Sequence, residues 1–194
     1  MKIFFGVSPR AIVNQGEDFK KIYNWIERLG HINLNNIPVS ANPNTFYNIE
    51  QSDIESMYDD LVKKCRQSDV LIVEASIHSL TMGYYIKLAL DLDKPVIILH
   101  RKGEKPFFFS GIQNDLLQII EYTPETIPET LEDAINFAKD KINIRFNMFL
   151  SPELNNYLKW AATRTGTQRS SFFRSLLMEH KEKHEQEYQD SLKI

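Results

Sequence analysis

The sequence holds little that would indicate an unusual class of protein. Cys65 is its one cysteine in 194 residues, which excludes a disulfide framework within one chain and a cysteine-cluster metal site. No apolar run approaches the roughly 20 residues that a membrane-spanning helix needs. The apolar start at residues 1–6 is too short for a signal peptide. With 42% apolar and 25% charged residues, the composition excludes wholesale disorder, and we expect a globular cytoplasmic protein without membrane contact.

The chain also has no large excess of positive or negative residues, but the two kinds are unevenly distributed along the sequence. The formal net charge is −3. Residues 1–141 carry 15 Lys and Arg against 20 Asp and Glu, whereas residues 142–194 carry eight against six. A basic tail on an acidic body indicates two modules with separate partners. We therefore expect one domain at 1–141 and a second module at 142–194.

Strand-like and helix-like segments alternate through residues 1–141. The segments expected to form strands lie at 2–7, 31–34, 70–73, 95–99 and 117–122, and those at 70–73 and 95–99 are fully apolar. Helical periodicity is present at 17–29, 52–67, 79–92 and 128–139, and residues 35–48 are expected to form a loop. Fully apolar strands separated by helices indicate βαβ units. The predicted fold class is α/β, with a five-stranded parallel Rossmann/flavodoxin-like sheet that has helices on both faces.

Small and polar residues follow the predicted strands at their carboxyl ends, where open parallel sheets bind ligands. Gly6 permits close backbone approach, and Ser8 offers a hydroxyl. Ser79 stands where a helix begins, so nearby backbone N–H groups can receive an anion. Glu74 ends a buried strand, where an unpaired carboxylate is costly. The alternative is that Ser79 only caps its helix and that the side chain of Glu74 only forms hydrogen bonds with the backbone.

Three segments of this first module follow a known pattern. They read S-D-V-L-I-V-E at 68–74, S-L-T-M-G-Y-Y at 79–85 and K-P-V-I at 94–97. These segments resemble the motifs of the nucleoside 2-deoxyribosyltransferase and deoxynucleoside-monophosphate N-glycosidase superfamily, over roughly residues 1–140. The resemblance implies the same α/β fold and a pocket for a phosphorylated nucleoside-like ligand. The ligand-binding residues that it implies are Gly6, Ser8, Glu74, Ser79 and Gly83.

The carboxylates that perform the chemistry of that family are missing from their positions. Tyr85 stands where the family has its nucleophilic glutamate, and Leu61 stands where it has an assisting aspartate, with Asp60 one residue away. Glycosyl transfer needs a carboxylate to trap or stabilise an oxocarbenium-like centre. Either the chemistry is lost and the pocket survives, or Asp60, Glu74 and Tyr85 form a relocated catalytic site. No cofactor and no metal are expected, because the histidines of this module lack paired ligand spacing.

Residues 142–194 follow a different pattern. Alternating apolar residues predict a strand at 144–150, Pro152 suits the first position of a helix, and Gly166 separates that helix from a second one. One strand and two helices cannot enclose a core, so this module needs a second copy of itself.

The tail segments 144–150, S-P-E-L at 151–154 and G-T-Q-R-S-S-F-F-R at 166–174 resemble a ribbon-helix-helix domain over roughly residues 143–180. The resemblance implies a homodimer or a higher even oligomer whose paired strands enter the major groove of DNA. The DNA-binding residues that it implies are Arg145, Asn147 and Phe149 on the ribbon, and Thr167, Gln168 and Arg169 at the second helix. The alternative is a dimer clasp without DNA binding.

Together the two modules predict a nucleotide- or nucleoside-binding regulator of transcription that dimerises and binds DNA. The alternative is an active deoxyribosyltransferase or nucleotide N-glycosidase whose tail serves oligomerisation only. A third possibility is a structural protein with neither activity.

Overall fold

A parallel sheet organises the first part of the chain. The structure is a computed structural model that describes residues 1–142 and 148–191. By its internal contacts the chain divides into two units, Met1–Ile144 and Arg145–Ile194. The strands of the first unit are β1 (Lys2–Val7), β2 (Ile32–Asn33), β3 (Val70–Glu74), β4 (Val96–Arg101) and β5 (Leu117–Tyr122). All neighbouring strands pair in parallel, in the order β2-β1-β3-β4-β5, which confirms the predicted sheet.

A helix follows every strand of this unit except β4, which is joined to β5 by a segment that contains only the 3-10 turn Phe109–Gly111. The helices are α1 (Ile12–Arg28), α2 (Ile37–Ser40), α3 (Gln51–Gln67), α4 (Leu80–Asp91) and α5 (Ile127–Asp140). α1 begins at Ile12, earlier than periodicity indicated, because the 3-10 turn Pro9–Ala11 leads directly into it. The short helix α2 lies in the stretch that was expected to be a loop. The prediction failed there because a single helical turn has no apolar period to detect.

The two faces of the sheet are covered by separate cores, because successive side chains of a strand point to opposite faces. From β3, Val70 and Ile72 enter a core with α1 and α5, which we call the α1/α5 core. Leu71 and Val73 enter a core with α3 and α4, which we call the α3/α4 core. Burial on both faces explains why the three inner strands, β1, β3 and β4, read as nearly continuous apolar runs.

The second unit is described as helices. These are α6 (Pro152–Thr165), α7 (Arg169–Lys183) and α8 (Glu185–Ser191). The hydroxyl of Ser151 accepts a hydrogen bond from the Leu154 N–H and caps α6, and Gly166 ends it at φ 67°. Among residues 148–191, only Ala161 and Ala162 are buried.

The predicted strand of the tail lies largely outside the described residues. Arg145 and Asn147 fall in the stretch 143–147, of which nothing is described, and residues 148–150 carry no regular secondary structure in this single chain. The two helices agree with the expected positions of Pro152 and Gly166. The ribbon-helix-helix module itself stays a prediction.

Candidate functional site

An open cleft of about 590 Å³ lies beyond the carboxyl ends of β3 and β4. It is bounded by α4, by the residues that lead into α4, and by the segment 106–112. Its lining is mostly apolar and includes three consecutive phenylalanines, of which Phe107 and Phe108 are 88% and 80% exposed. Both the volume and the apolar lining with a few polar groups are typical of small-molecule sites.

Ser79 and Gly83 both line this cleft at the beginning of α4. Ser79 is the N-cap residue, yet its side chain makes no capping hydrogen bond in the described chain, and the first turn of α4 has no acidic residue. The free N–H groups and the positive end of the helix dipole are therefore available to an anion. A Cβ atom on Gly83 would lie 3.7 Å from Cζ of Phe109, an ordinary van der Waals contact, so this wall of the cleft has room for a side chain as small as that of alanine.

Gly6 and Ser8 are placed away from the cleft lining. A Cβ atom on Gly6 would lie 3.2 Å from Sδ of Met82, so the glycine allows α4 to pack closely on β1. Ser8 is buried just after β1 and precedes the 3-10 turn. Of the five residues predicted to bind ligand, the structure brings Ser79 and Gly83 together in this cleft.

Glu74 lies on the opposite face of the sheet, at the end of β3. Its side chain is buried, and Oε1 accepts hydrogen bonds from the hydroxyls of Ser76 and Tyr122, the latter at 3.2 Å. Burial raises the pKa of Glu74 above its ordinary value, against the opposing effect of these hydrogen bonds and of the Arg101 charge. The backbone N–H of Arg101 also donates to the Ser76 hydroxyl at 2.8 Å, which ties β4 to the segment after β3.

An ion pair extends this arrangement to α1. The guanidinium of Arg101, at the end of β4, binds the carboxylate of Asp18. The Asp18 carboxylate is buried although it is charged. Its burial is tolerated because the positive guanidinium of Arg101 pairs with that negative charge. We call Asp18, Glu74, Ser76, Arg101 and Tyr122 the polar network. Sequence reasoning found only Glu74 of this set, because the other four carry no local motif.

Tyr85 and Leu61 are core residues. Both belong to the α3/α4 core, where the ring of Tyr85 lies 5.1 Å from that of Phe4, centroid to centroid. Burial raises the pKa of Tyr85 far above its ordinary value, so the phenol stays protonated and is a poor nucleophile. The residues at these two family positions now stabilise the fold by packing.

The relocated carboxylate pair is not assembled. Asp60 lies on an exposed part of α3 and binds Lys64 Nζ at 2.7 Å. Glu74 points to the other face of the sheet and bonds Tyr122, a residue of the α1/α5 core. The alternation of β3 directs Glu74 away from α3 and α4, so these contacts do not support the alternative of a relocated site at Asp60, Glu74 and Tyr85, which stays a prediction.

The described residues of the predicted DNA-binding set lie at two places in the tail. Phe149 is fully exposed. Gln168 is the N-cap residue of α7, and Thr167 precedes it, with its hydroxyl 2.9 Å from that of Thr165. Arg169 donates to Oδ1 of Asn155 at 3.3 Å, which joins α7 to α6.

Clusters of three or more metal ligands and membrane-spanning helices are both absent from the described residues. Across 1–142 and 148–191, no three His, Cys, Asp or Glu side chains are grouped as metal ligands would be. In the same part of the chain, no helix has the length and hydropathy required to cross a bilayer.

The chain is similar to known proteins at the level of structure. No protein-family model matches the chain, and no curated protein matches it. Among solved structures, a Clostridium botulinum CMP N-glycosidase, BcmB, is similar with a TM-score of 0.48 and 14% sequence identity. The similarity covers 68% of this chain and 98% of that one.

Proposed function

We propose that this protein is a regulator without glycosidase activity. Its α/β unit binds a phosphorylated nucleoside-like ligand in the cleft beside α4, and its tail pairs with a second copy and binds DNA. The observation that carries the first half is a contrast between two sets of positions. Tyr85 and Leu61, which replace the expected carboxylates, are buried in the α3/α4 core, whereas Ser79 and Gly83 line an open cleft.

The chemistry of the cleft supports a ligand with an aromatic ring and an anionic group. Exposed phenyl rings at 107 and 108 offer faces on which a base can stack. The uncompensated N-terminus of α4 at Ser79 offers N–H groups to a phosphate. A nucleoside monophosphate combines both groups in one molecule.

A thermal-shift screen of the full chain tests this proposal. Nucleosides, nucleoside monophosphates and sugar phosphates are added separately, since a ligand that binds only the folded state raises the melting temperature. Ser79→Asp should abolish the shift produced by a monophosphate, because the new carboxylate repels the phosphate. Tyr85→Phe, which changes a core residue outside the cleft lining, should keep that shift.

Two outcomes would contradict the proposal. If no compound of the screen stabilises the chain, the cleft is not a site for this ligand class. If the protein releases free base from deoxynucleosides or their monophosphates, the protein is an enzyme with a different catalytic site.

The second half of the proposal is supported by the exposed apolar side chains of the tail. Leu154, Tyr157 and Trp160 of α6 are each more than half exposed, as is Leu177 of α7. Two helices with so little buried surface require a partner, and pairing of two copies gives a twofold unit. The N-terminus of α7, with Gln168 and Arg169, is then available to phosphate groups.

DNA binding is tested by titration of genomic fragments at increasing salt. Counterion release predicts a log–log slope of about −0.9 for each phosphate contact. Arg145→Ala and Asn147→Ala should each lose roughly 1–3 kcal/mol on a cognate site. Absence of binding at low salt, or binding that is unchanged in the double variant, would leave the tail as a dimer clasp.

A further inference from the structure

Two histidines lie one helical turn apart where α7 meets α8. His180 belongs to the last turn of α7, and His184 directly follows the end of that helix at Lys183. Both side chains are exposed. Their imidazole rings are stacked, with centroids 4.3 Å apart and an angle of 19° between the ring planes. Of the five histidines in the chain, these two alone are four residues apart.

The spacing of this pair matters because side chains at positions i and i+4 share one face of a helix. Two histidines in this arrangement are a known way for a helix to bind zinc. A zinc ion takes imidazole nitrogens at about 2.0–2.1 Å, so both rings have to be neighbours if they are to share one ion. The stacked rings are already neighbours. Because both side chains are exposed, rotation about their side-chain bonds can turn one nitrogen of each toward a common point.

A hydrogen bond to the backbone prepares His184 as a ligand. Its Nδ1 lies 2.9 Å from the carbonyl oxygen of His180. A carbonyl oxygen can only accept, so in the neutral ring Nδ1 carries the proton and Nε2 carries the lone pair that a metal ion needs. Histidines that ligate metals almost always donate their other N–H to a carboxylate, a backbone carbonyl or water, which fixes the tautomer and the ring orientation. His184 already makes this supporting contact.

The charges around the pair favour a cation. Between residues 179 and 187 the chain has four glutamates and two lysines, and charges at such short separations are only partly screened by salt. Lys181, which follows His180 in the sequence, forms an ion pair with Glu185 at 3.6 Å, and its Nζ lies 5.7 Å from the centroid of the Tyr188 ring. The lysine next to the pair is therefore compensated, and the surrounding segment has a net negative charge.

We propose that His180 and His184 together bind one divalent transition-metal ion of the zinc class. Imidazole nitrogens suit such ions, whereas Mg²⁺ and Ca²⁺ take oxygen ligands. Each ring supplies one nitrogen, and water fills the other positions, since the described residues contain no group of three metal-ligating side chains. Binding is therefore weaker than in structural zinc sites, which use four protein ligands. The ion ties the end of α7 to the start of α8, and the site is independent of the cleft beside α4.

Isothermal titration calorimetry of the full chain with ZnCl₂, after treatment with EDTA and removal of the chelator, tests the proposal. Saturable binding of Zn²⁺ is expected, and MgCl₂ should give no saturable heat. His184→Gln removes one of the two ligands. It should weaken zinc binding by roughly tenfold or more, because loss of a mere supporting contact to a ligating histidine already costs about that much.

The decisive variant exchanges two residues of the same segment. Lys181→His combined with His184→Lys keeps the composition and the net charge, but it places the imidazoles on adjacent positions that face different directions. It should lose zinc affinity as His184→Gln does. His78→Gln removes an exposed histidine of the first unit and should bind zinc as the wild type does. Circular dichroism without zinc should be the same for all four proteins. Zinc affinity that is unchanged in both His184 variants, or no saturable zinc binding by the wild type, would overturn the proposal.

Discussion

The two units of this chain bury their apolar side chains in opposite ways. In Met1–Ile144, the strands and helices supply two cores, and residues such as Phe4, Ile72 and Ile98 are fully buried. In α6, α7 and α8, only Ala161 and Ala162 are buried, while Trp160 and Leu177 remain more than half exposed. Hydrophobic stabilisation scales with the area removed from water. The first unit therefore has the means to fold by itself, whereas the helices of the second leave most of their apolar side chains in contact with water.

The largest expected effect on stability comes from placing a charge in the buried core of the first unit. Tyr85→Glu places a carboxylate among the apolar side chains of the α3/α4 core. We expect a loss of more than about 4 kcal/mol in the free energy of unfolding. Tyr85→Phe keeps the ring packing against Phe4 and should cost at most about 1 kcal/mol. Urea denaturation followed by circular dichroism measures both.

The same substitution also tests whether carboxylates at these positions can restore glycosidase chemistry. Tyr85→Glu combined with Leu61→Asp restores the carboxylates at the family positions, but both side chains enter the core. We expect no release of base and a further loss of stability. Measurable base release by a folded double variant would show that these positions reach the cleft.

A charge on α7 tests whether the exposed apolar surface of the second unit pairs with another copy of the chain. Leu177→Asp should convert an even-numbered oligomer of the full chain into monomers, because a buried leucine contributes about 1.5–3 kcal/mol in each copy. Ser175→Asp adds the same charge at an exposed polar position of α7 and should leave the oligomer intact. Sedimentation velocity at micromolar concentration distinguishes the two, and a monomeric wild-type chain would refute the pairing of tails.

The smallest expected effect lies in the polar network of the first unit. Since burial raises the pKa of Glu74 in the folded state, the folded protein holds this proton more tightly than the unfolded chain does. The unfolding free energy should therefore fall as pH rises from about 4.5, the ordinary value, through the raised pKa. Each unit of that rise contributes about 1.4 kcal/mol.

Glu74→Gln isolates this contribution. The amide resembles the protonated acid and can still accept from the hydroxyls of Ser76 and Tyr122, so the variant should lack this pH dependence and exceed the wild type in stability at neutral pH. Thermal melts of both proteins between pH 4 and pH 8 measure the difference. Parallel curves for the two proteins would mean that Glu74 does not titrate in this range.

The strands were predictable from sequence because their signal is local. β1 and β5 were predicted with their observed limits, and β3 and β4 within two residues at each end. The cleft beside α4 was half predictable, since Ser79 and Gly83 belong to a motif that begins a helix. The phenylalanines at 107–109 were missed, because a loop that follows a strand has no period that indicates where it folds.

The sequence by itself determined which residue types are present: apolar runs at β1, β3 and β4, and a tyrosine and a leucine where the family that the chain resembles has carboxylates. Only the tertiary structure decided which side chains meet. Glu74 and Asp60 are separated because β3 directs Glu74 to the face covered by α1 and α5, while Asp60 stays exposed on α3. Gly6 lies next to Met82 and is not part of the cleft lining. Asp18 forms an ion pair with Arg101, which is 83 residues away in the sequence. Such pairings depend on strand order and on the face that each helix covers, and neither is encoded in a local stretch of sequence.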